Sequence, residues 1–261
     1  MRYEMKGPDF EGLAGRFRSP GIKAIALMGS FARGDAGEFS DVDLVRFLED
    51  EPKAPPEAST HVVEGRLIVV SNVPPSAVEK TFTEPEAVTL FMSGLRTGRP
   101  LWDPDGYFAE LQRRAREFVW DDAMQRKADA YASREMVGWA EEVHKGLEGL
   151  RIGDVGRLLN ARFGLCWGLP TVMRVQRGIM ISGDNGSYTE VMSAMGEGSE
   201  WSRLCRMTFG LETEAGYAEE VKACLSLYVF TARLLEKVIG PKDRDVIDHA
   251  VSRILAELGG R

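Results

Sequence analysis

A glycine-rich segment between two apolar runs constrains this chain more than any other feature. Residues 22–28 have the composition of a buried strand, and residues 42–48 have that of a second strand. The connection between them, residues 29–41, contains three glycines together with serine and aspartate. This order indicates a small unit of α and β structure at the start of the chain.

Two carboxylates, Asp41 and Asp43, stand at the beginning of the second strand. Because side chains alternate along a strand, both acids point to one face and Val42 points to the core. Carboxylates that are about 6–7 Å apart along one face can share Mg²⁺ ions and a triphosphate. The pair is therefore the candidate catalytic and metal-binding site.

The connection opens with Gly29 and Ser30, which are the candidate phosphate contacts. Without a Cβ atom, Gly29 lets backbone N–H groups approach a phosphate closely, and the hydroxyl of Ser30 adds a further donor. Arg33 follows in the same segment and supplies positive charge. We therefore predict a nucleotide-binding role for these three residues.

The rest of the chain shows two different sequence patterns, one before and one after about residue 76. Residues 10–18 predict a short helix, residues 60–73 predict a strand or hairpin, and residues 98–106 predict a turn. From about residue 76 the apolar spacing is helical, with segments at 106–119, 121–148, 154–178, 188–207, 213–239 and 244–258. We predict an α+β fold: a small mixed sheet with flanking helices in residues 1–105, then an all-helical bundle in residues 106–261 that binds the acceptor.

The charge and composition of the chain limit the classes of function that it can have. The net charge of -7 offers no bulk basic face, so long DNA or RNA is a poor candidate partner. We expect no membrane span and no secretory signal. The widely spaced Cys166, Cys205 and Cys224 are expected to be buried small hydrophobes in a reducing cytoplasm. These observations predict a cytoplasmic protein, and they leave the oligomeric state open between a monomer and a homodimer.

The runs Gly-Ser-Phe-Ala-Arg-Gly (29–34) and Ser-Asp-Val-Asp-Leu (40–44) resemble the signature of the DNA polymerase β-like nucleotidyltransferase superfamily. The closest resemblance is to its small bacterial members, including the kanamycin-type antibiotic nucleotidyltransferases. This resemblance implies Mg²⁺-dependent transfer of a nucleoside monophosphate, with AMP expected and ATP as its source. It implies a small-molecule acceptor whose hydroxyl attacks the α-phosphorus and releases pyrophosphate. It also implies that Asp41 and Asp43 hold the metal ions.

The sequence departs from the family at two points. A complete site needs a third carboxylate on the neighbouring strand, at a position expected near Ile68, and the only acid in that segment is Glu64. A general base from the helical part would be the other missing group, and Glu135, Glu141 and Glu142 are its candidates. Their default interpretation is a solvated helix face.

Three functions therefore stay open. The first is an enzyme that transfers a nucleoside monophosphate to a small molecule. The second is a nucleotide-binding regulatory protein of the same fold, in which the chemistry is weakened with the third carboxylate. The third is an enzyme that nucleotidylates a protein or RNA partner, although the acidic charge balance argues against RNA.

Overall fold

A computed structural model of the chain describes residues 9–52, 59–212 and 216–259. These residues form two compact units, the first ending at Val119 and the second beginning at Trp120. The division predicted from the sequence lies earlier, after residue 105. Each unit has its own architecture.

The first unit is built on a five-stranded mixed sheet. Its strands are β1 (Ile22–Met28), β2 (Val42–Leu48), β3 (Ser59–Val63), β4 (Arg66–Val73) and β5 (Arg99–Trp102), and their spatial order is β3-β4-β2-β1-β5. The β2–β4 pair is parallel, whereas the other neighbours are antiparallel. The strands predicted at 22–28 and 42–48 and the hairpin within 60–73 are confirmed. β5 lies where the sequence predicted only a turn.

In the described residues of this unit, the helices that accompany the sheet are α1 (Phe10–Arg16), α2 (Gly29–Arg33), α3 (Pro75–Thr83), α4 (Pro85–Thr97) and α5 (Tyr107–Glu117). One face of the sheet forms an apolar core in which Leu27, Leu44 and Ile68 pack with Leu13 of α1. Partly buried Phe31 of α2 also packs against this core. This face is closed to solvent and holds the sheet and the first two helices together.

Helix α5 packs on the opposite face of the sheet. The ring of Phe47 in β2 lies 5.4 Å from that of Phe108 in α5, and both residues are buried. The Nε group of Arg96 in α4 donates a hydrogen bond to the carbonyl of Ala115 at 2.8 Å. These contacts explain why α5 belongs to the first unit rather than to the helical bundle.

The second unit is all-helical in its described part. Its helices are α6 (Asp122–Ile152), α7 (Val155–Gln176), α8 (Asp184–Met195), α9 (Glu200–Thr208), α10 (Tyr217–Leu234) and α11 (Pro241–Gly259). The single helix predicted over 188–207 is wrong, because the chain breaks between α8 and α9. Gly196 adopts a left-handed conformation with φ 84° there, and Ser199 caps the next helix by accepting from the N–H of Ser202. No helix in the described segments is long and apolar enough to cross a bilayer.

The helical core is closed by buried hydrogen bonds as well as by apolar contacts. Trp201 is only 1% exposed, and its indole N–H donates to the hydroxyl of Thr231 at 3.0 Å. The Tyr228 hydroxyl donates to the carbonyl of Met136 at 2.8 Å. These bonds satisfy polar groups that burial would otherwise penalise.

Replacing Thr231 by valine should destabilise the helical unit, since valine keeps the shape but leaves the Trp201 N–H without its acceptor. We expect the free energy of unfolding to fall by about 1–3 kcal/mol, measured by urea denaturation. Thr189 offers a control, because its hydroxyl donates to the Gly186 carbonyl at an exposed site. Thr189→Val should stay within about 0.5 kcal/mol of the wild type. Equal losses in the two variants would contradict the assigned role of the buried bond.

The three cysteines are buried and free, as the sequence predicts. Burial raises the pKa of the Cys166 thiol to about 11 and that of Cys205 to about 12, because the thiolate loses its hydration. They therefore stay protonated near neutral pH and act as small apolar side chains.

Candidate active site

The Gly29–Ser30 turn and the Asp41–Asp43 pair come together at the edge between β1 and β2. β1 ends at Met28, which pairs with Asp43 across the antiparallel ladder, and α2 begins at the next residue. A Cβ atom at Gly29 would overlap with Oδ2 of Asp43 and lie 3.0 Å from its Cγ. The turn therefore abuts the second carboxylate of the motif directly.

Gly29 has two separate reasons to lack a side chain. Its φ of 64° lies in the left-handed region, which L-residues adopt at a cost of about 1–2 kcal/mol. The carboxylate of Asp43 also occupies the space that a Cβ atom would need. The sequence predicts a role for this glycine in phosphate approach, and the contact with Asp43 adds a reason that no sequence pattern reveals.

The turn also exposes backbone donors. Gly29 and Ser30 open α2, and the first N–H groups of a helix have no acceptor within that helix. At the other end, the N–H groups of Gly34 and Asp35 both donate to the Ser30 carbonyl, which closes the short helix. The Ser30 N–H and hydroxyl are thus held within one residue of the contact with Asp43.

Asp41 and Asp43 flank a buried residue, as the strand periodicity predicts. Val42 is fully buried in the core of the sheet, whereas both aspartates are partly exposed. Two partly exposed carboxylates on one strand face suit Mg²⁺, which proteins usually bind through one or two carboxylates together with substrate phosphates. Among the described residues, no group of three or more acids, histidines or cysteines is arranged to hold a metal ion. The donor set of this chain therefore fits a metal ion that the substrate phosphates help to bind.

The loop between the turn and the carboxylates is tied by local hydrogen bonds. Arg33 donates from Nε to Oδ2 of Asp35 at 3.3 Å, so the predicted phosphate contact has a carboxylate partner within the loop. Further along, the Gly37 N–H donates to the Ser40 hydroxyl at 2.9 Å, and the Ser40 N–H donates to the Gly37 carbonyl. These two bonds form a tight turn immediately before Asp41.

The strand beside the carboxylates carries no third acid on their face. In the parallel ladder Val42 pairs with Ile68 and Asp43 pairs with Val69, so Val69 shares the face of Asp43. Ile68 is 1% exposed and belongs to the core on the other face. The position expected for the third carboxylate was therefore wrong by one residue, which in a strand reverses the side. The β4 residues on the carboxylate face are Leu67, Val69 and Ser71, none of them acidic.

Glu64 does not supply the missing group from within the strand. It lies with Gly65 in the turn between β3 and β4, where it is exposed and has a φ of 51°. Two consecutive residues with positive φ are typical of the tight hairpin turn that favours right-handed strand twist. The position and backbone conformation of Glu64 are therefore those of a hairpin turn residue.

The candidate general bases all lie on α6 and have basic neighbours. Lys145 contacts Glu141 at 2.9 Å and Glu142 at 2.8 Å, and Arg134 lies 3.7 Å from Glu135. The pairs of Lys145 at i,i+3 and i,i+4 are common on solvated helix faces. Glu141 is exposed there, whereas the side chain of Glu142 is only 18% exposed. Their role as bases stays a prediction.

The comparisons with known proteins agree with this geometry. The chain matches the family model of the nucleotidyltransferase domain over residues 12–93, a span that includes the Gly29–Ser30 turn and both aspartates. Its structure is similar to that of a nucleotidyltransferase-like protein from Exiguobacterium sibiricum 255-15, with a TM-score of 0.50 and 11% sequence identity. That similarity covers 95% of this chain and 86% of the other, and at this identity it concerns the fold alone.

No curated protein matches the chain significantly in sequence. The family match nevertheless coincides with the part of the fold that brings the turn and the carboxylate pair together. Residues 12–93 of this chain, which hold the turn and both aspartates, therefore match a nucleotidyltransferase domain of the DNA polymerase β-like type.

Proposed function

We propose that the protein is a Mg²⁺-dependent nucleotidyltransferase that moves AMP from ATP to a hydroxyl group of a small molecule. The observation that carries this proposal is the direct contact between the Gly29 turn and the carboxylate of Asp43. It joins a backbone suited to phosphate oxygens with a side chain suited to a hard cation. A triphosphate with its metal ion needs both within a few ångströms.

Each residue of the motif has a definite task in this proposal. The N–H groups at the start of α2 and the Ser30 hydroxyl donate hydrogen bonds to the departing phosphate oxygens. Asp41 and Asp43 hold Mg²⁺, which when bound polarises the phosphoryl oxygens and neutralises the charge that develops during transfer. Arg33 supplies positive charge beside the same phosphates.

The reaction is a displacement at the α-phosphorus. The acceptor oxygen forms a new bond to phosphorus and gives up its proton to the surrounding water, while the bond between the α-phosphorus and the bridging oxygen of the β-phosphate breaks. Pyrophosphate leaves with the electron pair of that bond. Attacking and leaving oxygens stand roughly in line, so the protein contributes chiefly by positioning them and by stabilising charge.

A second candidate function is a nucleotide-binding regulatory protein. The observation that favours it is the apolar character of β4 beside the carboxylates, where Leu67 and Val69 stand in place of a third acid. A missing third carboxylate weakens the hold on the metal ion that activates the acceptor hydroxyl, whereas the nucleotide can still bind. The role of the helical unit in acceptor binding, and acceptors of protein or RNA, stay predictions.

One experiment distinguishes the enzyme from the regulatory protein. The full chain is incubated with Mg²⁺, triphosphates labelled at the α-phosphate, and a panel of hydroxyl-bearing small molecules. Transfer of label to one class of acceptor, with ATP as the best donor, is the result we expect. Saturable triphosphate binding with no labelled product for any acceptor in the panel would contradict the enzyme and support the regulatory protein.

A further inference from the structure

Three large apolar side chains near the carboxylate pair are exposed to solvent. The exposed fraction is 95% for Phe39, 73% for Val62 and 46% for Leu67. We call this set the apolar shelf. A single exposed apolar residue needs no explanation, but a group beside a polar site often marks a binding surface.

The register of the sheet places the shelf on the same face as the carboxylates. Val42 pairs with Ile68, so the residues one step earlier, Asp41 and Leu67, face each other on the opposite side from that core pair. Leu67 pairs in turn with Val62 of β3. Leu67 and Val62 therefore form a row on β4 and β3, and Asp41, the residue just before β2, continues it on the other side of Leu67.

Phe39 stands just before β2 in the chain, close to this row. It lies in the turn that the two hydrogen bonds between Gly37 and Ser40 close, two residues before Asp41. The two bonds hold the backbone of this turn, and the ring of Phe39 stands in solvent. Apolar area of this kind is buried favourably when a ligand covers it.

The shelf and the phosphate-binding turn lie on opposite sides of the carboxylates. Gly29 follows β1, which pairs with one edge of β2, whereas Leu67 and Val62 belong to β4 and β3 beyond the other edge. In the proposed function the departing pyrophosphate occupies the turn. In-line displacement requires the attacking oxygen to approach the α-phosphorus from the side opposite the leaving pyrophosphate. On the sheet, the side of the carboxylates opposite the turn is that of β4.

We propose that the apolar shelf binds the carbon skeleton of the acceptor and selects molecules whose reactive hydroxyl is attached to an aromatic or aliphatic ring. This inference rests on the proposed function and gives it a substrate class. Phe39, Val62 and Leu67 carry no charge and no hydrogen-bonding side chain. A polyol would leave its hydroxyl groups poorly solvated against such a surface, whereas a ring face would bury apolar area there.

The test compares two acceptor classes in wild type and in two separate variants, Phe39→Ala and Leu67→Thr. Benzyl-alcohol-type and cyclohexanol-type acceptors are set against glycerol and sorbitol, with Mg²⁺ and ATP labelled at the α-phosphate. For the ring-bearing acceptors we expect kcat/KM to fall about tenfold or more in each variant. The KM for ATP should stay within about twofold of the wild type, because the phosphate contacts lie on the other side.

Phe91→Ala is the matched control, because Phe91 is 54% exposed on α4 of the same unit and is not part of the shelf. It should leave both acceptor classes unchanged. Wild-type preference for polyols, or unchanged selectivity in both shelf variants, would overturn the shelf as an acceptor surface while leaving the proposed function intact. No transfer by the wild type to any acceptor would overturn the proposed function and the shelf with it. A dimer in sedimentation that Leu67→Thr dissociates would assign the shelf to a second copy of the chain instead.

Discussion

Replacing Asp43 by asparagine should abolish most of the thermal stabilisation that ATP with Mg²⁺ gives this protein. A ligand present at a hundredfold excess over its Kd stabilises the native state by about 2.7 kcal/mol, which corresponds to roughly 5–10 °C in Tm for a chain of this size. Asparagine is close in shape to aspartate, so the packing against Gly29 is retained. It lacks the negative charge that a hard cation requires. Thermal melts with and without the ligand measure the difference.

Glu38→Gln is the control for this prediction, because Glu38 is an exposed acid at the tip of the turn before the carboxylate pair. The variant removes one negative charge from the loop before β2 and leaves both aspartates unchanged. We expect the ligand-induced shift in Tm to be retained in this variant. An undiminished shift in Asp43→Asn would exclude Asp43 from the site, and equal losses in both variants would indicate a general effect of charge.

Gly29→Ala should weaken nucleotide binding far more than it lowers stability. The new methyl group meets the Asp43 carboxylate, so either the turn or the carboxylate has to move. The backbone φ of 64° adds about 1–2 kcal/mol of strain. We expect the ATP-induced shift in Tm to be lost, together with at least a hundredfold loss of any transfer activity, since small misplacements of reacting groups have effects of this size.

The Gly34→Ala variant separates backbone strain from the contact with Asp43 as the cause of the lost binding. Gly34 has a φ of 87°, and a Cβ atom there would meet nothing within 4 Å. The variant therefore carries similar backbone strain at the other end of α2 without any contact to Asp43. It should lower Tm by a similar amount and still bind nucleotide. If Gly34→Ala lost binding as fully as Gly29→Ala, strain in α2 would explain the effect and the contact with Asp43 would not.

The strands of the motif could be predicted because their apolar runs are local and complete. Residues 22–28 and 42–48 are strands in the structure with the same bounds. β5 was missed since its pairing with β1 joins distant parts of the chain, and Pro100 with the turn residues after it masks the strand pattern. The break between α8 and α9 was also missed, although Gly196 and Gly198 are visible signals for it.

The carboxylate pair could be placed on one face from the alternation of side chains alone, but its surroundings could not. The contact between Gly29 and Asp43 depends on the antiparallel register of β1 and β2, which the sequence does not specify. The same holds for β4. A shift of one residue decides whether Ile68 or Val69 faces the pair, and only the observed register shows that it is Val69. The apolar shelf depends on the same register, and no sequence pattern indicated it.

The position of the label in the triphosphate tests the central claim most directly. The full chain is incubated with Mg²⁺, an acceptor and ATP that is labelled in one sample at the α-phosphate and in another at the γ-phosphate. Nucleotidyl transfer at the Asp41–Asp43 site predicts labelled acceptor only from the α-label, with the γ-label recovered in pyrophosphate, and no product from the Asp43→Asn variant. Label transferred from the γ-phosphate, or product formation that persists in Asp43→Asn, would contradict the account.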